Sequence, residues 1–216
     1  MSEPAHILPF QPEVATEAPP AKRTPVKLPN FLSDGETEKL IETCRVLRQA
    51  AEHQAQSKRD AAARDELCVH LGLFAGLRVG EMCSLEIKRI DLAAGQLLVF
   101  QGKGAKDRYV PVSAKLAEVL RAAIGVSTDG LLMRTARGEA LTVDTAEWRI
   151  ERLGKLAGFG RKLKPHTLRH TFAVRLVNTG TPIHEVRDLL GHSSIAVTDV
   201  YLRCTTQRLR AAVDRL

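Results

Sequence analysis

The hydrophobic repeat of this chain changes from a helical to a strand period and back again, and the short strand region between the two changes limits the folds available to it. The stretches QLLVFQ (96–101) and RYVPV (108–112) are typical of strands, and the turn-forming residues 102–107 join them. Pro111 cannot donate a ladder hydrogen bond, so it predicts that the second stretch is an edge strand. With a further strand near Ile90–Leu92, these stretches predict a three-stranded antiparallel sheet.

Helical periodicity dominates the rest of the chain. Ser33 and Glu36 have the spacing of a capping box, and Leu67, Leu71 and Phe74 form an apolar stripe at helical spacing. Later helix starts are marked by a capping residue or a proline, at Ser113, Thr142, Pro165, Thr181-Pro182 and Ser194. The sequence therefore predicts a fold that is mainly α with a small three-stranded antiparallel β-sheet.

Residues 1–30 differ from the remainder in composition. They hold seven of the ten prolines and show no hydrophobic periodicity, so we expect a disordered proline-rich arm at 1–30 and one domain at 31–216. The first residues lack the basic and apolar regions of a signal peptide, and no apolar run is long enough to span a membrane.

The four cysteines, Cys44, Cys68, Cys83 and Cys204, form no CxxC pair, and three of them lie in apolar, helix-like contexts. This pattern is typical of buried free thiols in a reducing compartment, and not of a disulfide framework or a zinc site. We therefore expect a cytoplasmic protein.

The positive charge is concentrated in the second half of the chain. Residues 1–100 hold 12 Lys and Arg against 14 Asp and Glu, whereas residues 101–216 hold 20 against 11. A basic half beside a nearly neutral half indicates a polyanionic partner, with nucleic acid favoured over a membrane surface. A basic protein without such a partner is the alternative.

The stretch KPHTLRHT (164–171) places two histidines and an arginine at the start of a predicted helix. His166 and Arg169 share one helix face within the first turn, where backbone N–H groups and the helix dipole favour an anion. His166 and His170 have the spacing of two metal ligands, but no third ligand accompanies them. The stretch favours an anion clamp, and a purely structural His–Arg pair is the alternative.

Three other stretches are ambiguous when each is taken alone. GLRVGE (76–81) sets Arg78 between two glycines with Glu81 three residues later, which also fits an ordinary turn between helices. GKGAKD (102–107) lacks the spacing of a phosphate-binding P-loop. His192 follows a helix-ending glycine, and Tyr201 comes nine residues later.

Taken together, these stretches resemble the tyrosine recombinase (phage integrase) family. The resemblance lies in GLRVGE, QGKGAKDRYVPV, HTLRHTFA, LLGHSS and TDVY, in that order and at similar spacing, and it covers residues 31–216. It implies the fold of the recombinase catalytic domain and six catalytic residues: Arg78, Lys103, His166, Arg169, His192 and Tyr201.

The resemblance implies phosphoryl transfer at a DNA phosphodiester without a metal ion or another cofactor. Tyr201 is then the nucleophile, and Arg78 and Arg169 hold the non-bridging phosphate oxygens. His166 is the proton acceptor, and Lys103 is the general acid.

The remaining expected site residues assist this chemistry. His192 hydrogen-bonds a phosphate oxygen, Glu81 and His170 support the site, and Lys106 and Arg108 contact the DNA backbone. The implied partners are double-stranded DNA, a homo-tetramer on two DNA sites and accessory DNA-bending proteins.

The sequence departs from most of that family because only the proline-rich arm precedes Phe31, where a separate N-terminal core-binding domain is usual. A weaker and more salt-sensitive grip on DNA is expected to follow. Two other functions stay open at this point: a type IB topoisomerase-like enzyme, and a DNA-binding accessory or regulatory protein without cleavage.

Overall fold

Helices form most of the described part of the chain, which in this computed structural model comprises residues 30–100, 107–135, 137–191 and 213. The helices are α1 Asp34–Ala51, α2 Gln56–Phe74, α3 Val79–Cys83, α4 Ala114–Ile124, α5 Val143–Leu156, α6 Pro165–Thr179 and α7 Ile183–Leu190, with a short 3-10 turn at Ile87–Arg89. The strands are β1 Ile90–Asp91, β2 Gln96–Val99 and β3 Arg108–Pro111. The predicted mainly α fold with one small sheet is confirmed.

Side-chain caps start several of these helices where the sequence predicts them. The Ser33 hydroxyl accepts a hydrogen bond from the Glu36 N–H at 3.2 Å, and the Glu36 carboxylate accepts one from the Ser33 N–H at 2.9 Å. Ser113 and Thr142 cap α4 and α5 through their hydroxyl groups. Pro165 occupies the first turn of α6, where its missing N–H costs no helical hydrogen bond.

The sheet is antiparallel in the order β1-β2-β3, so the proline-containing strand lies at an edge as predicted. Pro111 pairs with Gln96 at one end of the β2–β3 ladder, and Arg108 pairs with Val99 at the other. Side chains of β3 alternate, with Arg108 and Val110 buried and Tyr109 exposed. The first position of β3 therefore faces the interior of the protein.

α2 is the central helix, packed against α1, α4, α5 and α6. A continuous run of its residues, 67–73, is buried. Gly72 permits the close approach of α6, because a Cβ atom there would lie 2.7 Å from the Leu168 Cβ. This packing fixes the C-terminal end of α2 against the N-terminal half of α6.

A buried carboxylate joins α2 to α5. Asp65 forms ion pairs with Arg149, at 2.8 Å, and with Arg152. Arg152 also lies over the ring of Trp148, 5.7 Å from its centroid. Trp148 itself is 60% exposed, so this helix packs through Ala146, Ile150 and Leu153 instead. We call Asp65, Arg149 and Arg152 the Asp65 cluster.

Cys44, Cys68 and Cys83 are buried free thiols, as the sequence predicts. Among the described residues, no helix combines the length and the apolar character that crossing a membrane requires. The predicted arm before residue 30, the helix predicted to start at Ser194, and Cys204 lie outside the described residues. Within the tail, Val213 is described, and it is helical and exposed.

Candidate active site

The junction between α2 and α3 is shaped by Gly76. Its φ of +61° is in the left-handed region, and a Cβ atom there would lie only 2.4 Å from the Phe172 Cδ1. A residue with a side chain would be strained by its backbone and would collide with α6. The tight junction sets Arg78 immediately before α3 and directs the Gly76 carbonyl toward Arg169.

Glu81 lies at the centre of a group of three arginines. Its carboxylate accepts two hydrogen bonds from the Arg108 guanidinium, at 2.9 and 2.8 Å, and one from the Arg78 guanidinium at 2.8 Å. It also accepts the Arg78 backbone N–H at 2.8 Å, and the nearest Arg169 nitrogen is 3.8 Å away. We call Glu81, Arg78, Arg108 and Arg169 the Glu81 cluster.

The Glu81 carboxyl group is held in its ionised form. Burial by itself would raise the pKa of Glu81, but the hydrogen bonds and charges of Arg108 and Arg78 outweigh burial and lower it. Three guanidinium groups therefore surround one carboxylate, which leaves the cluster with a net positive charge. Such a cluster attracts an anion.

The same three arginines cap the C-terminal end of α7. Arg108 Nε donates to the Leu189 carbonyl at 2.7 Å, Arg169 donates to the Leu190 carbonyl at 2.5 Å, and Arg78 donates to the Gly191 carbonyl at 3.0 Å. These three successive carbonyls belong to the end of a helix, where carbonyl groups lack intrahelical donors and the helix dipole favours cations. The cluster thus fixes the backbone immediately before residue 192.

The three arginines differ in their exposure to solvent. The side chain of Arg78 is 38% exposed, whereas those of Arg108 and Arg169 are 7% and 4% exposed. Arg169 donates to the Gly76 carbonyl at 2.6 Å as well as to Leu190. An anion that approaches from solvent therefore meets Arg78 first, with the two buried guanidinium groups behind it.

His166 and His170 lie near the start of α6, close to Arg169 in sequence. His166 is exposed, and the centroids of the two imidazole rings are 6.2 Å apart. Burial, with the charges of His166 and Arg169, lowers the pKa of His170 to about 4, so His170 is neutral at pH 7. Across the described ranges there is no group of three or more His, Cys, Asp or Glu side chains suited to a metal ion.

The structure brings several of the predicted site residues together. Arg78, Arg169 and Glu81 are in one cluster, and His166 and His170 lie on the helix that contributes Arg169. The remaining predicted site residues, Lys103, Lys106, His192 and Tyr201, lie outside the described residues.

Arg108 differs from the sequence interpretation. It was expected to contact the DNA backbone, but its guanidinium is buried and donates to Glu81 and to the Leu189 carbonyl. The alternation of β3 was the available sequence signal, because Arg108 is two residues from the apolar Val110 and therefore on the same strand face. The part played by residues 189–191 had no sequence signal, since backbone carbonyls are common to all residues.

Comparison with known proteins gives a consistent family assignment. Residues 30–208 match the sequence profile described as the phage integrase family. The chain is 39% identical over 157 residues to the tyrosine recombinase XerA of Thermococcus kodakarensis, across 70% of this chain and 55% of that protein. It is 34% identical over 198 residues to the tyrosine recombinase XerD of Ralstonia nicotianae, across 87% of this chain and 60% of that protein.

Solved structures give the same picture. The crystal structure of XerA recombinase matches with a TM-score of 0.73 and 30% identity, over 88% of this chain and 66% of that one. A post-cleavage complex of the XerH site-specific recombinase bound to a palindromic difH substrate matches with a TM-score of 0.70 and 31% identity, over 87% of this chain and 53% of that one. The chain thus spans between about half and two thirds of the length of these relatives.

Proposed function

This chain belongs to the phage integrase family, and from that premise we propose that it is a site-specific DNA recombinase. In this proposal it cuts and rejoins DNA strands through a tyrosine nucleophile. The observation that supports the proposal best is the convergence of Arg78 and Arg169 on Glu81, in a cluster with net positive charge. The post-cleavage complex of the XerH site-specific recombinase with its palindromic difH substrate supports DNA as the substrate class.

The cluster suits a phosphodiester because of where negative charge develops during phosphoryl transfer. The non-bridging oxygens gain charge in the transition state, and guanidinium donors already fixed in place stabilise that charge without reorganisation. Arg78 is the partly exposed member and meets the phosphate, and Arg169 lies behind it on α6. Their orientation is set by Glu81 and by the carbonyls at the end of α7.

The proposed cleavage step conserves the phosphodiester. The Tyr201 hydroxyl oxygen forms a bond to the scissile phosphorus while the bond from phosphorus to the 5′ oxygen of the next nucleotide breaks. The tyrosine proton passes to His166, Lys103 protonates the leaving 5′ oxygen, and His192 donates a hydrogen bond to a phosphate oxygen. The products are a 3′-phosphotyrosyl ester and a free 5′-hydroxyl, and the reverse reaction rejoins a strand without an energy source.

Exchange of strands between two DNA duplexes requires four such cleavages. We therefore propose a homo-tetramer on two DNA sites, with one Tyr201 for each strand and with accessory DNA-bending proteins where the sites must be brought together. We place this assembly in the cytoplasm of a bacterial cell, on its DNA. The +7 net charge of the chain favours DNA as the partner.

A test compares the two tyrosines of the chain. Cells expressing the wild-type protein, Tyr201→Phe or Tyr109→Phe are lysed in denaturant, and DNA covalently attached to the protein is recovered and sequenced. Tyr109 is the matched control, because it is the other tyrosine in the sequence and its side chain is exposed on β3. Wild-type protein and Tyr109→Phe should give adducts at a recurrent DNA site, and Tyr201→Phe should give none.

The outcomes separate the functions considered. Adducts that persist in Tyr201→Phe would contradict Tyr201 as the nucleophile. DNA binding without adducts in any of the three proteins would instead favour a DNA-binding accessory protein. Adducts scattered without a recurrent sequence would favour a topoisomerase-like enzyme.

A further inference from the structure

We propose that Arg108 is a positioning residue for DNA cleavage, which fixes the phosphate clamp and the end of α7 without contacting DNA. This inference rests on the proposed recombinase function. It gives Arg108 a different role from the contact with the DNA backbone that the sequence favours. Its basis is the set of contacts made by one buried guanidinium.

Three guanidinium nitrogens of Arg108 donate hydrogen bonds, and all three acceptors lie within the protein. Two of them bind the two oxygens of Glu81, at 2.9 and 2.8 Å, in the fork geometry typical of an Arg–carboxylate pair. The third, Nε, binds the Leu189 carbonyl at 2.7 Å. With 7% of its side chain exposed, Arg108 offers almost no surface to a DNA phosphate.

The contact with Glu81 fixes the clamp indirectly. Because Arg108 engages both carboxylate oxygens, it sets the rotation of the Glu81 carboxylate. The same two oxygens accept hydrogen bonds from the Arg78 guanidinium and from the Arg78 backbone N–H. The direction of the Arg78 guanidinium therefore depends on the position of Arg108, although no contact between the two arginines is needed.

The contact with Leu189 fixes a second element. Arg108 begins β3, and its bond to Leu189 joins this strand to the end of α7, where Arg169 and Arg78 hold the next two carbonyls. The segment that follows contains His192 and Tyr201. Arg108 thus ties the sheet to the point from which two of the proposed catalytic residues are supplied.

Arg108→Lys tests the proposal, because lysine keeps the charge but cannot form the fork on Glu81 and the bond to Leu189 together. We expect the rate of 3′-phosphotyrosyl formation on duplex DNA carrying the recovered site to fall by about 100-fold, as misplacement of reacting groups does elsewhere. The Kd for the same duplex should stay within about twofold of wild type, with an unchanged salt dependence, because a buried guanidinium neutralises no phosphate.

Arg149→Lys is the matched control. Arg149 is also an arginine paired with a buried carboxylate at 2.8 Å, with 13% of its side chain exposed, but it lies in the Asp65 cluster. The cleavage rate of Arg149→Lys per folded molecule should match wild type. Thermal unfolding measures the stability of each variant. If Arg108→Lys and Arg149→Lys slow cleavage equally at equal loss of stability, Arg108 has only a structural part and the proposal is wrong.

A substrate with sulfur at the bridging 5′ position identifies the group through which Arg108 acts. A thiolate leaves without protonation, so this substrate should restore cleavage to Lys103→Ala, whose lost group is the proposed general acid. It should not restore cleavage to Arg108→Lys. Restoration in Arg108→Lys would mean that Arg108 acts through the 102–107 turn, and would overturn the assignment to the clamp.

The two hypotheses fail in different ways. Wild-type cleavage with an unaffected Arg108→Lys overturns only the positioning part of Arg108. A raised Kd with a reduced salt slope in Arg108→Lys would restore the interpretation of a DNA contact. Absence of a Tyr201-dependent adduct in wild-type protein overturns the recombinase function, and the positioning proposal with it.

Discussion

The Glu81 cluster and the Asp65 cluster are both built from a carboxylate with little exposure to solvent and from arginines, yet they differ in what they join. Asp65 on α2 pairs with Arg149 and Arg152, and both arginines belong to α5. The three arginines around Glu81 come from the start of α3, from β3 and from α6, and they also bind the end of α7. One cluster fixes a pair of helices, whereas the other fixes four elements at a single point.

The comparison shows that a buried ion pair does not by itself mark an active site. Arg152 of the Asp65 cluster is about as exposed as Arg78 of the Glu81 cluster, so exposure does not separate them. What separates them is a larger excess of positive charge, three guanidinium groups on one carboxylate against two, and the number of chain segments that converge. Ion pairing between two helices is a packing device, whereas surplus cations fixed on several elements form a prepared site for an anion.

Removal of each carboxylate should have the largest effect and should separate the two clusters. Glu81→Gln leaves buried arginines without their counter-charge, which costs roughly 3–5 kcal/mol of unfolding free energy, and Asp65→Asn should cost a similar amount. Only Glu81→Gln should abolish phosphotyrosyl formation per folded molecule. Urea unfolding and single-turnover cleavage measure the two quantities, and a cleavage defect in folded Asp65→Asn would contradict the distinction.

Gly76→Ala should have the next largest effect, because the Glu81 cluster requires the tight junction between α2 and α3. The left-handed φ and the 2.4 Å approach to Phe172 should together reduce the unfolding free energy by about 2 kcal/mol. Gly80→Ala is the control, since a Cβ atom there meets nothing within 4 Å and alanine favours the helix. Equal stability of the two variants in urea unfolding would show that the junction is not constrained as described.

Acid should reduce the unfolding free energy of the protein through His170 on α6. The pKa of His170 falls from its ordinary value of 6.5 to about 4 on folding, so between these values the unfolded chain binds a proton that the folded protein does not. The unfolding free energy should therefore decrease as pH falls from about 6.5 to about 4. The lowered pKa of Glu81 has the same sign but acts only below 4.5, the ordinary value for that carboxyl group.

A His170→Gln variant removes the first of these two contributions. Urea unfolding at several pH values should show a reduced dependence of the unfolding free energy on pH between about 6.5 and about 4, and the wild-type dependence below that range. An unchanged slope across that range would mean that folding does not lower the pKa of His170.

The smallest expected effect is the slow alkylation of the two thiols near the Asp65 cluster. Burial, with the charges of Glu66 and Asp65, raises the pKa of Cys44 to about 12, and burial likewise raises the pKa of Cys68. Since the thiolate is the reactive form, both should resist alkylation at pH 8 in native protein and react after unfolding. Mass spectrometry of a Cys204→Ser variant measures this, and rapid native labelling of Cys44 or Cys68 would contradict their burial.

The sequence predicted the elements of the fold more completely than the arrangement of the site. Ser33 with Glu36, Thr142 and Pro165 predicted helix starts that the structure confirms, because caps act within one turn of chain. Pro111 predicted the edge strand, because a missing N–H is a local property. The family was predictable from short stretches with fixed order and spacing.

Other features depended on contacts between residues far apart in the chain. Trp148 is a large apolar residue and is nevertheless 60% exposed, because the packing of α5 against α2 selects another face of the helix. A sequence contains the residues of each helix but not the rotation at which two helices meet.

By itself, then, the sequence determined the local elements and the family, since these depend on short-range chemistry. Only the tertiary structure decided that Arg108 is buried against Glu81, and that Arg78, Arg108 and Arg169 bind three successive carbonyls at the end of α7. The physical reason is that the role of a guanidinium depends on which acceptors lie within its reach. Those acceptors come from residues up to 113 positions away in the chain.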